Sequence, residues 1–180
     1  MLNGAHRRFA STQSGLAAIE FALILPVMVL LFIGAVQFTD YALCEQKVVK
    51  LASTAADLVT QGDVHDADTM TNVWQALNAV VYPYTPGGIK IVVSGLQYSN
   101  ATRDKVSWGV ASGGASPRAA RSLMAVPDGI SLPNTSTTGD ILVVAEVTYA
   151  YKPLFGGFVM PKTVTIISTY YAAPRSRPAT

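Results

Sequence analysis

Charge is scarce in this sequence and cysteine nearly absent. Only 13% of the 180 residues are Asp, Glu, Lys or Arg, against about 25% in an ordinary soluble domain, so part of the chain does not face water. The net charge is +2, and its basic residues are not gathered into a stripe with aromatics, which argues against nucleic acid as a partner. The single cysteine, Cys44, excludes an internal disulfide, so an exported domain here has to rely on its apolar core. The two histidines are His6, among basic residues, and His65, in a polar stretch, and neither has a sequence-level partner for acid–base work. Ser14, Ser94, Ser107 and Ser112 lack a nucleophile-elbow setting, and the glycine pairs at Gly87, Gly113 and Gly156 do not form a phosphate loop. Asp63, Asp66 and Asp68 lie close together, but without the later glycine and glutamate of a calcium loop they read better as a helix start. Cys44 reads as a packed, inert thiol. No metal, cofactor or small-molecule substrate is expected, and catalysis is the poorer reading.

What is abundant is apolar residues, at 50% of the chain, and the excess has a location. From Phe21 to Val36 the sequence reads FALILPVMVLLFIGAV without a charge, and the stretch from Leu16 to Phe38 is interrupted only by Glu20. As a helix it spans roughly 35 Å, enough for the ~30 Å of bilayer hydrocarbon. A basic segment with Arg7 and Arg8 precedes it, as in a secretory signal, but the run is longer than a signal core and no small-x-small site closes it, so a retained anchor fits better. By the positive-inside rule, Arg7 and Arg8 hold the N-terminus in the cytoplasm and send the residues after about Phe38 across. Pro26 inside the run is tolerable in a membrane helix. Apolar spacing through Val36, Tyr41, Leu43, Val48, Leu51, Ala55, Leu58 and Val59 extends the helix beyond the bilayer as a rod, with Gly62 and Asp63 at its expected end.

The remaining residues predict an α+β arrangement. Asp66 is placed to cap a second helix, with Met70, Val73, Trp74, Leu77, Val80 and Val81 on one face, ending before Pro83. Ile89–Tyr98 and Lys105–Ala111 read as a hairpin, Ser116–Met124 as a short helix, and Ile141–Tyr151 and Thr163–Tyr171 as two more strands. The expected fold is a long N-terminal helix with a small, four-stranded, mostly antiparallel sheet on its outer half. The loop KPLFGGFVMPK carries Leu154, Phe155, Phe158 and Val159; it either folds back as a cap on the core or meets a membrane surface or partner. The boundaries read 1–15 for the basic leader, 16–38 for the transmembrane helix, 39–62 for its extramembrane continuation, 63–173 for the α+β domain and 174–180 for a fraying tail.

Glu20 demands an explanation, because an unpaired carboxylate in lipid is costly. It either snorkels to the headgroups at the helix N-terminus or serves a function. The segment SGLAAIEFALILP, Ser14–Pro26, resembles the prepilin processing region of the tight-adherence (Flp/Tad) pilus system, where glycine precedes the cut and glutamate follows at the fifth mature position. Phe21 after Glu20, the leader HRRFASTQSG and the LILP stretch resemble the TadE/TadG pseudopilin family, as do the closing strands of Val144–Arg177. The resemblance implies a pilin-like minor pseudopilin in a bacterial inner membrane with a periplasmic domain. It also implies cleavage between Gly15 and Leu16 by a prepilin peptidase, with Glu20 and Phe21 as the processing and assembly motif. The implied partners are that peptidase, other pilins or pseudopilins of the Tad system, and inner-membrane lipid. Two other readings stay open: an unprocessed single-pass protein with a partner-binding domain, and a membrane-tethered periplasmic hydrolase.

Overall fold

A computed structural model describes residues 13–61, 67–100, 103–127, 142–155, 157 and 160–173. The leader with Arg7 and Arg8, the cap at Asp66, the helix end at Gly62, Phe158, Val159 and the tail from residue 174 lie outside the described residues. Helix α1, Gln13–Thr60, runs without interruption for 48 residues and accommodates Pro26, giving a rod about 72 Å long. Its character changes along its length. Every residue from Gly15 to Phe32 is exposed, so the apolar side chains there take no part in the core formed by the described residues. From Gln37 onward one face is buried: Gln37, Cys44, Val48, Leu51, Ala52, Ala55, Ala56 and Val59, at the three-to-four spacing that a helix needs to present one stripe. The small side chains of Ala52, Ala55 and Ala56 fill that stripe where the neighbouring elements press against it.

Those neighbours are a second helix and a sheet. Helix α2, Ala67–Val80, turns Leu77 into the core with Val73, Trp74 and Val80 half-buried beside it, followed by buried Val81, the stripe expected from the sequence. A single 3-10 turn, Pro86–Gly88, leads into β1, Ile89–Asn100. The remaining strands are β2, Arg103–Ser112, β3, Leu123–Ala125, β4, Leu142–Tyr151, and β5, Val164–Ala172. They form one curled antiparallel sheet of five strands in the order β3-β2-β1-β4-β5. Ile89, Ile91 and Val93 of β1, Val143, Ala145, Val147, Tyr149 and Tyr151 of β4 and Ile166 of β5 join the helix stripe in the main core. Full burial of each such aliphatic side chain contributes about 1.5–3 kcal/mol.

The sequence expectation of four strands is one short, and the expected helix at Ser116–Met124 is not formed. Arg121 takes a left-handed backbone (φ 68°), its amide donates to the Val106 carbonyl, and the Val106 amide donates to Ser122. Leu123–Ala125 then pairs with Arg103–Lys105 as β3. Sheet partners thus take the backbone groups that helical bonds would have used. This segment lies over the sheet face opposite α1, where Leu96, Val106, Met124, Leu142 and Val144 make a second, smaller core. A bulge shapes that face. The β1–β2 register slips between Gly95 and Leu96, leaving Ser107 as the extra residue on β2, with its hydroxyl donating to the Gly95 carbonyl at 3.0 Å. Val106 therefore faces the small core while Trp108 and Val110 face the helix side; strict alternation would have put all three on one side.

Candidate functional site: the processing segment and the polar junction above it

Two groups of residues on α1 carry the functional reading. The first is the segment singled out in the sequence. Gly15, Leu16, Glu20 and Phe21 lie on the first two turns of α1 and all are exposed, Leu16 at 63% and Phe21 at 60%. A side chain at Gly15 would meet nothing within 4 Å, so the fold itself places no demand for glycine there. Glu20 makes no hydrogen bond or ion pair among the described residues. Among the described residues nothing in the fold uses this exposed carboxylate at the start of an apolar helix. The span beginning at Gly15 is long and apolar enough to cross a membrane, and none of its most apolar 18-residue window is buried. That exposure distinguishes it from the buried core helix of a soluble protein, and among the described residues it has the length and composition of one membrane span.

The second group was not singled out in the sequence. Where the apolar run ends, α1 presents Gln37 and Asp40 on one face, and both are tied to residues more than 40 positions away. Asp40 accepts from the Tyr151 hydroxyl at 2.5 Å on Oδ2 and from the Tyr84 hydroxyl at 2.9 Å on Oδ1. The Tyr84 hydroxyl also reaches the Asp40 carbonyl oxygen at 3.0 Å. Gln37, fully buried, donates from Nε2 to the Tyr151 oxygen at 3.3 Å and accepts the Phe155 amide on Oε1 at 3.0 Å. Tyr41 packs edge-on against Tyr151 at 5.7 Å, and Tyr84 against both Tyr149 and Tyr151 at 6.4 Å. Each polar atom of Gln37 and Asp40 therefore has a partner, as a network in a low-dielectric setting requires.

The electrostatics suit structural clamping. Burial first, then the hydrogen bond to Asp40, push the Tyr84 and Tyr151 hydroxyls well above the usual phenol range, so both remain donors at any physiological pH. Burial, with the Asp40 charge adding to it, pushes the Cys44 thiol up to about 11, which keeps it out of the reactive thiolate form. Asp40 has both oxygens engaged by hydroxyl donors and is no free base. Among the described residues no group of three or more His, Cys, Asp and Glu could hold a metal ion. The sequence did carry a signal for this junction: QFTDY directly after the apolar run spaces Gln37, Asp40 and Tyr41 along one helix face. What it lacked was the partners, which come from β4, the loop after it and the turn before β1.

Against known proteins, residues 15–57 match the family model described as TadE-like protein. The match covers the exposed apolar span and most of the packed half of α1, including Gln37 and Asp40. No curated protein and no solved structure matches the chain. The resemblance to the TadE/TadG family stated from Ser14–Pro26 is borne out over this helix.

Proposed function

We propose, from the premise of a TadE-like first helix, that this chain is a minor pseudopilin of a Flp/Tad-type pilus, processed after Gly15 and acting in pilus assembly or initiation. The observation that supports the reading is the exposed Gly15–Leu16–Glu20–Phe21 segment at the mouth of an apolar span whose most apolar window is unburied among the described residues. Arg7 and Arg8 on the leader would hold the N-terminus in the cytoplasm, which brings the Gly15–Leu16 bond to the face where a membrane aspartyl prepilin peptidase works. Glycine before the cut lets an extended backbone enter the protease cleft. Cleavage removes both arginines and creates an ammonium at Leu16. In lipid, that ammonium and the Glu20 carboxylate of a neighbouring subunit neutralise each other, which offsets the cost of placing either there alone. Phe21 and the apolar side chains beyond it then supply the surface on which neighbouring pilins and pseudopilins pack.

Mass mapping of the mature chain tests the proposal: its first residue should be Leu16, and an intact Met1 in cells with an active peptidase would reject it. If loss of the peptidase leaves the mass unchanged, the chain is an unprocessed single-pass protein. Glu20→Gln should leave cleavage intact while lowering pilus assembly, because it removes only the charge that meets the new N-terminus.

A further inference from the structure

The membrane-facing end of the folded domain can be read from the bonds to α1. Tyr151 ends β4 at Asp40, two residues beyond the last apolar residue of the span, and Phe155 is held by its amide to Gln37. The loop that follows β4 is thus fastened at the level where α1 leaves the bilayer. Among the described residues of this loop Pro153 is buried, while Leu154 is 70% exposed and Phe155 46%. Lys152 and Lys162, on either side of it, are exposed, and Gly157 (φ +93°) closes the loop by donating to the Met160 carbonyl at 2.7 Å. Tyr82, exposed at 77%, stands two residues from Tyr84, which is bonded to the same Asp40. Three large apolar or aromatic side chains and two ammonium groups therefore share one end of the domain, beside the helix exit. Asp40, at the same level of the helix, is already engaged by the Tyr84 and Tyr151 hydroxyls.

We propose that this end is a membrane-contact surface: Leu154, Phe155 and Tyr82 enter the interfacial zone of the leaflet, and Lys152 and Lys162 meet anionic phospholipid headgroups. Aromatic residues at the headgroup level and lysines on phosphate are the partition that a lipid interface favours, and apolar side chains at that depth bury the surface that water would otherwise cover. The bond from the Phe155 amide to Gln37 fixes the height at which Leu154 and Phe155 meet lipid. The inference rests on α1 spanning the bilayer, and its test separates the two.

The full chain with Cys44→Ala is reconstituted in vesicles containing phosphatidylglycerol, and a nitroxide is placed by Leu154→Cys, by Phe32→Cys within the span, or by Ile167→Cys on β5. Collisions with oxygen and with a water-soluble nickel chelate report depth. Phe32 should be oxygen-accessible, Ile167 nickel-accessible, and Leu154 shifted toward oxygen relative to Ile167. A Phe32 label open to nickel removes the bilayer premise itself. A Phe32 label in lipid with a Leu154 label open to nickel, or shielded from both reagents as a protein partner would shield it, overturns the inference alone. The shift at Leu154 should shrink when phosphatidylglycerol is replaced by a neutral lipid, and a Lys152→Gln/Lys162→Gln chain should lose that dependence; a shift indifferent to lipid charge overturns the headgroup contact.

Discussion

The hydroxyls of Tyr84 and Tyr151 have two jobs at one point, since they fill the base of the core with rings and satisfy Asp40 with their O–H groups. Tyr151→Phe keeps the ring and removes the donor to Oδ2, so a part-buried carboxylate oxygen loses its partner at a cost of about 1–3 kcal/mol; thermal melts of the purified chain should show it as a lower midpoint. The same groups give a pH dependence with a defined sign. Tyr84 and Tyr151, and Cys44 at about 11, hold their protons more tightly folded than unfolded. As pH rises past the ordinary thiol and phenol values, the unfolded chain therefore releases protons first and is favoured. Stability should be flat to about pH 8.5 and fall through pH 9 to 11. A Tyr84→Phe/Tyr151→Phe chain should start lower and show a shallower alkaline decline; an unchanged slope would remove these two hydroxyls as its cause. In the sequence the Gln37–Asp40–Tyr41 face was visible, but Tyr84 and Tyr151 were two tyrosines among eight and could not be assigned to it, because a buried polar network is defined by partners that only the fold brings together.

At the scale of elements, the hairpin and the closing strands follow from local composition: runs of Val, Ile, Thr and Tyr bounded by turn residues gave β1, β2, β4 and β5 to within a residue or two. Residues 115–125 did not, because nothing local directs them. Their conformation is set by the sheet face they cover, through Arg118, whose Nε and a terminal nitrogen each donate to a Glu146 carboxylate oxygen at 2.6 Å, and through the pairing of β3. The turn after β2 is similarly constrained from outside. Gly113 has φ +71°, and a Cβ there would stand 1.9 Å from the Ile89 carbonyl oxygen. Gly113→Ala must therefore move the start of β1, and it should destabilise the domain by more than the roughly 1–2 kcal/mol that a left-handed backbone alone costs a residue with a Cβ, whereas Gly114→Ala, with the same sign of φ but open space around it, should cost less. Comparing the two midpoints in urea isolates the steric part.

For the molecule as a whole, the sequence read the anchor well because a lipid-facing helix needs no partner within its own chain to be recognised. In the packed half of the same helix the apolar spacing marked Val48, Leu51, Ala55 and Val59, but not Gln37, a polar side chain that is buried only because Tyr151 and the Phe155 amide meet it. Because α1 is continuous from Gln13 to Thr60 and the Gln37–Asp40 junction clamps the sheet to it, the domain has no joint at which to swivel. The azimuth of every surface residue is consequently keyed to the azimuth of Glu20, at ~100° per residue of helix. One alanine inserted after Gly34 would leave the fold, the hydropathy and the cleavage segment as they are, but would turn the domain by about 100° against Glu20; assembly should fail while processing and domain stability persist. Eighteen inserted residues, a whole number of turns, would restore the angle but lift the domain about 27 Å from the bilayer. Between them, the two insertions would tell whether partners read this protein as a compass bearing or as a height.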